Sequence, residues 1–340
     1  MKTNSTIKKI FAMLLACAMM LAFAACGSSP APAASEAPAA EDDGIVKVAI
    51  IKQLDHASLD EIANAIAARF DEMNAAGDVK VEYSISSGQN DQTILKQLCD
   101  QAIADKVDVI VPIATTAAQV ATLSAEGTGV KVVYAAISDP AAANLTGIDY
   151  VTGTSDALNT SFILDMMLAQ NPDIKKVGLL YSLSEPNSAT PIADAKAYLD
   201  AKNIEYVEQT ANTNDEVVAA ASALIAADVD AIFTPTDNTI MAAELAIYED
   251  LAKAGIQHYT GADSFVRNGA FATCGVNYTE LGRKTAELAV RAVSGEALQD
   301  FYLMDGGIIT VNTETAAALG ADYSVFADMG ELVEVTTTKD

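Results

Sequence analysis

The chain alternates short apolar runs, rich in β-branched residues, with longer segments whose apolar positions recur every three or four residues. The short runs predict strands, and the longer segments, such as 59–75 and 91–106, predict amphipathic helices. Strands that alternate with helices form βαβ units, so we expect an α/β fold with mostly parallel sheets flanked by helices. The predicted strands span 46–52, 79–84, 107–112, 130–135, 176–181, 204–209, 229–234 and 257–260.

The second series of predicted strands repeats the first. The run ValAspValIle at 107–110 matches ValAspAlaIle at 229–232, and both continue through a proline into a polar turn. Two further pairs also match, 48–52 with 177–181 and Tyr134 with Tyr259, and the three matches come in the same order in both halves of the chain. We therefore expect two similar lobes hinged around a ligand cleft.

The predicted elements also give expected lobe boundaries. The chain should cross between lobes near 148–156 and 274–279, so that a helix over 280–294 packs on lobe 1 and the segment 307–312 returns to lobe 2. The expected bounds are 45–150 plus about 277–300 for lobe 1, and 151–276 plus about 301–340 for lobe 2.

Residues 1–25 have the features of an export signal. Lys8 and Lys9 precede an uncharged apolar run over 10–25, shorter than the roughly 20 residues of a membrane-spanning helix. The run ends in PheAlaAlaCys at 23–26, which resembles the lipobox of bacterial lipoproteins and implies a lipidated (palmitate-bearing) Cys26. The alternative is an ordinary signal peptide with an incidental cysteine. Residues 26–44 are mostly Ala, Pro, Ser and acids, so we expect a flexible linker.

Composition narrows the function classes. The formal net charge of −26 does not favour nucleic-acid binding. Cys99 and Cys274 lie on distant predicted elements, and the sequence has only two histidines, so we expect no disulfide, no metal site and no cofactor. No glycine-rich nucleotide motif follows the first strand, and no nucleophile motif pairs with a histidine, so we expect no enzymatic activity.

Polar side chains follow the predicted strands at their carboxyl ends, where open parallel sheets bind ligands. If the lobes face each other, these groups line one cleft, as in a clamp that closes by hinge motion. The candidate ligand-binding residues are Leu54, His56, Gly88, Gln89, Ala114, Thr115, Thr116, Ser138, Asp139, Ser184, Glu185, Asn187, Thr236, Asp237, Asn238, Asp263 and Tyr278.

Several of these segments, taken in order, resemble one protein family. They are VDVIVPIATTAAQ at 107–119, ISDP at 137–140, VTGTSD at 151–156, TPTDNT at 234–239, GADS at 261–264 and GAFATCG at 269–275. They are similar to the ABC-transporter substrate-binding lipoproteins that take up tryptophan and other aromatic amino acids. The resemblance covers about 45–320 and implies a periplasmic-binding-protein type I fold, delivery of a ligand to a membrane permease with its ATPase, and no catalysis. The chain departs from the family at 143–150, where relatives have a longer glycine-rich approach.

An amino acid would present a carboxylate and an ammonium to this cleft. The helix that opens with Thr115 and Thr116 offers N–H groups and hydroxyls to a carboxylate, and Ser138 offers another hydroxyl. The threonines could instead serve only as helix caps. The resemblance makes Asp263 the expected ammonium partner, with Asp237 as the alternative.

The remaining expectations concern the ligand side chain and the setting of the protein. Four arginines are present and only Arg267 lies near a predicted pocket loop, which favours a zwitterion over a phosphate or a dicarboxylate. His56 and Tyr278 could contact the ligand side chain or could merely pack in a loop and at the hinge. We expect a monomer, exported and lipid-anchored to the outer face of the bacterial cell membrane. A membrane-tethered ligand sensor that acts on a signalling partner is the alternative function.

Overall fold

The computed structural model describes residues 44–338. The predicted export signal, the lipidation site Cys26 and the linker up to residue 43 lie outside the described residues. No helix within 44–338 is long and apolar enough to span a membrane.

The strands form two sheets. The first contains β1 (Ile45–Lys52), β2 (Lys80–Ser87), β3 (Val109–Ile113), β4 (Lys131–Tyr134), β5 (Val151–Ser155) and β11 (Tyr302–Leu303), in the order β11-β5-β4-β3-β1-β2. The second contains β6 (Lys176–Tyr181), β7 (Glu205–Thr210), β8 (Ala231–Thr234), β9 (Gln257–Thr260), β10 (Ala272–Gly275), β12 (Ile308–Asn312) and β13 (Glu331–Val335), in the order β13-β12-β10-β9-β8-β6-β7. The paired strands are parallel except for β10 and β12, which are antiparallel. The predicted α/β class and the eight predicted strands are confirmed.

Helices flank both sheets. They are α1 (Ala57–Ala76), α2 (Gln92–Ala104), α3 (Thr115–Ala125), α4 (Thr160–Gln170), α5 (Ala189–Lys202), α6 (Asn214–Ala226), α7 (Asn238–Lys253), α8 (Asp263–Arg267), α9 (Tyr278–Val293) and α10 (Thr313–Leu319). Short 3₁₀ turns span Pro186–Ser188 and Ser324–Asp328. We call each sheet with its flanking helices a lobe.

The apolar strands lack polar alternation because helices cover both faces of each sheet. In β1, Val48 and Ile50 join the cluster under α1 and α9, whereas Ala49 and Ile51 join the cluster under α2 and α3. Successive side chains of a strand point to opposite faces, so both sets must be apolar. The same packing buries every residue of β3.

After β10 the chain returns to the first lobe. Helix α9 packs directly against α1 at Gly282, where an added Cβ would lie 2.7 Å from the Ala65 Cβ and 2.7 Å from the Ile62 carbonyl oxygen. The chain then adds β11 to the first sheet and β12 to the second. Residues 308–312 thus pair within the second sheet.

One expected boundary differs from the observed pairing. Strand β5, which we expected to open lobe 2, pairs with β4 in the first sheet, with Val151 opposite Val132. Tyr302 and Leu303 likewise extend the first sheet beside β5. Strand β5 joins the first sheet before the chain crosses, so the crossing follows Ser155 rather than preceding it.

Cys99 and Cys274 are buried free thiols in separate lobes. Within residues 44–338, no group of three His, Cys, Asp or Glu side chains is placed to hold a metal ion.

Candidate ligand-binding cleft

A narrow cavity lies between the lobes, with about 20 Å³ of space open to water-sized molecules. Its walls are formed by the loops after several strands and by the N-terminal turns of the helices that follow those loops. The lining residues are His56, Ser58, Leu59, Ile62, Ala114, Thr115, Ala136, Ser138, Asp156, Asn187, Thr236, Asp237, Asn238, Met241, Ala262, Phe265 and Tyr278.

The structure places about half of the candidate residues in this lining. These are His56, Ala114, Thr115, Ser138, Asn187, Thr236, Asp237, Asn238 and Tyr278. The candidates outside the lining are Leu54, Gly88, Gln89, Thr116, Asp139, Ser184, Glu185 and Asp263. Several of those have partners elsewhere: the Asp139 carboxylate accepts a hydrogen bond from the Thr190 hydroxyl at 3.0 Å, and the Ser184 hydroxyl bonds that of Ser182 at 2.7 Å.

Eight lining residues were missed: Ser58, Leu59, Ile62, Ala136, Asp156, Met241, Ala262 and Phe265. Leu59 and Ile62 follow His56 at helical spacing, and Met241 follows Asn238 in the same way, so helical periodicity could have found these three. Asp156 ends the VTGTSD segment, whose position at a strand end was also a usable signal.

Asp156 is a buried carboxylate that faces the cavity. It accepts hydrogen bonds from the Ser138 hydroxyl at 3.0 Å and from the Tyr278 hydroxyl at 3.1 Å. No basic side chain within residues 44–338 forms an ion pair with it. Burial raises the pKa of Asp156, and the two hydroxyls partly offset this by stabilising the charged form. This carboxylate therefore favours a cationic group in the cavity.

The two acids expected to meet an ammonium are otherwise engaged. Asp263 lies outside the lining and accepts a hydrogen bond from Arg267 Nε at 2.9 Å. Asp237 lines the cavity, but its Oδ1 caps α7 through the Ile240 N–H at 3.0 Å. Its Oδ2 accepts from the Ser182 N–H and from the Ser188 hydroxyl, both at 2.7 Å.

Two helices of the first lobe point uncapped N-termini at the cavity. The N-cap residues of α1 and α3, His56 and Ala114, make no side-chain cap, whereas α7 in the second lobe is capped by Asp237. In α3 one first-turn N–H, that of Thr116, donates to Gln53 Oε1. Ala114, just before α3, has a φ of 79°, a left-handed conformation that is uncommon for alanine. The positive ends of two helix dipoles thus lie on one side of the cavity.

A buried chain of polar side chains joins the lobes beside the cavity. Gln53 Nε2 donates to Glu185 Oε1 at 2.8 Å, and Asn238 Nδ2 donates to Glu185 Oε2 at 2.7 Å. Asn238 Oδ1 in turn bonds His56 Nε2 at 3.0 Å. Ser138 and Thr236 add a further contact between lobes, with their hydroxyls 2.9 Å apart. These bonds hold the lobes in a closed arrangement.

Burial shifts the pKa values of Glu185 and His56, two members of this hydrogen-bonded network. The pKa of Glu185 is raised by burial first and by the nearby Asp237 charge second. The pKa of His56 is lowered, chiefly by burial. A buried imidazole with a lowered pKa is neutral near pH 7.

Comparison with known proteins supplies the family. The family model described as ABC transporter substrate binding protein matches residues 47–325. A tyrosine-binding protein of Clostridioides difficile is 28% identical over 279 residues, covering 80% of each chain.

Two solved structures share the fold. The ABC domain in complex with L-Trp from Streptococcus pneumonia is 26% identical, with a TM-score of 0.77 over 85% of this chain and 99% of that one. The ligand-free, open structure of a substrate-binding protein with adhesive properties from Clostridium difficile is also 26% identical, with a TM-score of 0.64 over 86% of this chain and 100% of that one. The higher score against the L-Trp complex agrees with the closed lobes seen here.

The two parallel sheets, the cleft between them and the match over most of the chain lead to one conclusion: this protein belongs to the ABC transporter substrate-binding proteins and has their periplasmic-binding-protein type I fold.

Proposed function

We propose that this protein captures an aromatic amino acid between its lobes and delivers it to an ABC permease with a cytoplasmic ATPase. The observation that carries the proposal is a buried carboxylate without a basic partner, facing the same cavity as two uncapped helix N-termini. A zwitterion has an ammonium for the carboxylate and a carboxylate for the helix N-termini.

The ammonium would bind at Asp156. An ammonium donates three hydrogen bonds, and Asp156 provides the charged acceptor, while Asn187 Oδ1 is a buried acceptor without a partner among residues 44–338. Pairing with an ammonium would relieve the cost of a buried unpaired charge. This assignment replaces Asp263, whose carboxylate is paired with Arg267 on α8.

The carboxylate would bind at the N-termini of α1 and α3. Neither N-cap residue uses its side chain as a cap, so first-turn N–H groups other than that of Thr116 remain for a carboxylate, and the helix dipoles add favourable charge. The hydroxyls of Ser58 and Thr115 lie in the same wall. We propose that Thr115 contacts the ligand directly, whereas the Thr116 N–H donates to Gln53 Oε1 at 3.2 Å and supports the closed lobes.

An apolar wall would hold the ligand side chain. Leu59 and Ile62 of the first lobe face Met241, Ala262 and Phe265 of the second across the cavity. Such a wall suits a ring, since aromatic rings bury a large apolar area and pack edge to face against Phe. The relatives that bind tyrosine and L-Trp support this choice of side chain.

A thermal-shift screen of the purified protein tests this function. A ligand that binds only the folded state raises the melting temperature with the logarithm of its excess over Kd. We expect tryptophan or tyrosine to raise it most, among the twenty amino acids and a panel of sugars and nucleosides. A shift with a sugar alone would contradict the amino-acid assignment and would keep the clamp.

We further propose that the protein acts by binding alone, as an exported monomer tethered by lipid on Cys26. Members of this family work outside the cytoplasmic membrane, which agrees with the apolar run before Cys26. Cys26→Ser should release the protein from the membrane and leave ligand affinity unchanged. Continued membrane association of that variant in a fractionation experiment would contradict the lipid anchor.

A further inference from the structure

One nitrogen of His56 is a buried polar atom without a partner. His56 lines the cavity, and its Nδ1 has no hydrogen-bond partner among residues 44–338. A buried unsatisfied polar group is costly, so native structures rarely leave one without a reason. Because His56 lines the cavity, a bound ligand is the group available to supply the missing partner.

The chain of side chains beyond His56 determines whether Nδ1 donates or accepts. It begins at the Thr116 backbone N–H, which can only donate and which bonds Gln53 Oε1. Gln53 must therefore direct its amino group, Nε2, to Glu185 Oε1, and the other carboxylate oxygen accepts from Asn238 Nδ2. When Glu185 is ionised, both of its oxygens can only accept, and each amide orientation then follows from the one before it.

The end of this chain fixes the tautomer of His56. Because Asn238 directs Nδ2 to Glu185, its Oδ1 faces His56 and must accept, at 3.0 Å, from a protonated Nε2. A neutral imidazole carries one proton. Nδ1 therefore keeps its lone pair and is a hydrogen-bond acceptor in the cavity.

We propose that His56 Nδ1 is a specificity-determining acceptor for a hydrogen-bond donor on the ligand ring, a phenolic O–H or an indole N–H. The inference rests on the proposed function and deepens it. Leu59 follows His56 by three residues and Met241 follows Asn238 by three, so the acceptor adjoins the apolar wall that would hold the ring. A ring with a hydrogen-bond donor at its edge would pack on the apolar wall and pair with Nδ1, whereas phenylalanine would leave Nδ1 unpaired.

The acceptor depends on lobe closure. His56 belongs to the first lobe, and Asn238, which fixes its tautomer, belongs to the second. The donor on the ring is therefore recognised in the closed form, so a ring without the donor would favour closure less.

Nitrogen NMR of the full chain, with ¹⁵N-labelled histidine, tests the proposal directly. The chain has two histidines, and His258 is an internal reference because both its ring nitrogens have partners in the second lobe, Glu244 and Thr234. At alkaline pH, where Glu185 is a carboxylate, we expect His56 to be protonated at Nε2. Tyrosine should move the Nδ1 resonance upfield, as hydrogen bonding to a lone pair does, and should leave His258 unchanged. A proton on Nδ1, or an Nδ1 resonance that stays fixed while tyrosine demonstrably binds, would overturn the inference and leave the proposed function standing.

Affinities measured by calorimetry give a second, independent test. We expect wild type to bind tyrosine or tryptophan roughly 10- to 100-fold more tightly than phenylalanine. His56→Phe should reduce this preference to within a few-fold. The control Thr190→Val removes only the hydrogen bond from the Thr190 hydroxyl to Asp139 and should preserve the preference. A ratio unchanged in His56→Phe, or no preference in wild type, would overturn the inference. If no aromatic amino acid bound at all, the proposed function would fail and the inference with it.

Discussion

At the scale of single residues, the cleft holds three buried acids, Asp156, Glu185 and Asp237, which form no ion pair within residues 44–338. All three have raised pKa values, and burial is the largest cause for each. Their environments still differ. Asp237 accepts from backbone and hydroxyl donors within its own lobe, Glu185 links the lobes, and Asp156 faces the cavity. Only Asp156 is therefore placed to bind a cation that enters from solvent.

Asp156→Asn should abolish amino-acid binding while leaving the fold intact. The ammonium would lose its charged acceptor, and such a loss costs several kcal/mol, or more than about 100-fold in affinity. The ligand-free variant should melt no lower than wild type, because the substitution removes a buried unpaired charge. Calorimetric titration and thermal unfolding measure the two effects.

Asp263→Asn is the matched control for that variant. Its carboxylate pairs with Arg267 outside the cavity lining, so affinity should change by only a few-fold. If Asp263→Asn lost binding and Asp156→Asn kept it, the ammonium site would return to Asp263.

Glu185 should make the stability of the ligand-free protein depend on pH. Its folded pKa is raised above the unfolded value of about 4.3. A carboxyl with a raised folded pKa contributes stability that is fully present below the unfolded pKa and is lost as pH rises through the folded pKa. We expect Glu185→Gln, which cannot ionise, to flatten this decline by at least about 1 kcal/mol, measured by denaturant unfolding from pH 4 to pH 9. Parallel curves for the two proteins would show that Glu185 does not titrate in this way.

At the scale of elements, the close packing of α9 on α1 fixes the wall of the cavity that carries Tyr278. Gly282 lets the two helices approach, since an added Cβ would lie 2.7 Å from Ala65 and from the Ile62 carbonyl. Tyr278 begins α9, and its hydroxyl bonds Asp156 at 3.1 Å. The position of the Asp156 carboxylate thus depends on a contact between helices.

Gly282→Ala should destabilise the protein by roughly 1–3 kcal/mol, because the new methyl group meets backbone and helix atoms that cannot move aside easily. The sign of this change in the free energy of unfolding is informative, because a Gly to Ala substitution within an exposed helix normally stabilises a protein by about 1 kcal/mol. Urea unfolding measures the change. Gly275→Ala is a control, because its nearest non-local atoms lie 3.5 and 3.9 Å from the new Cβ. An increase in stability for Gly282→Ala would show that the helices can separate at little cost.

At the scale of the whole molecule, polar contacts join the lobes beside an apolar cluster to which both lobes contribute. Gln53 reaches Glu185, and His56 reaches Asn238, from opposite lobes. Individual hydrogen bonds of this kind contribute only about 0.5–1.5 kcal/mol net, so a ligand that bridges both lobes can shift the balance between open and closed forms.

Small-angle scattering should therefore record compaction when ligand is added. We expect the radius of gyration to fall with tryptophan or tyrosine, since the closed form buries the ligand between the lobes. An unchanged radius with a ligand shown to be bound would contradict hinge closure. Gln53→Ala should retain compaction but require more ligand, because it removes one link between the lobes.

Much of the architecture could be predicted from local pattern. The central strands, such as β1, β3 and β6, are continuous apolar runs because helices cover both faces of the sheets, and the repeat between halves predicts the two lobes. Strand β5 was missed as a strand of the first sheet because ValThrGlyThrSer lacks a continuous apolar pattern. Its pairing with β4 depends on sheet context.

The sequence by itself determined the fold class, the family resemblance and the polar loops at strand ends, because periodicity and short motifs are local properties. Only the tertiary structure decided which carboxylate faces the cavity without a basic partner. Asp156 meets Tyr278 across 122 positions of chain, whereas Asp263 pairs with Arg267 four residues away. The charge environment of a binding residue depends on neighbours that folding brings together, and spacing along the chain does not encode them.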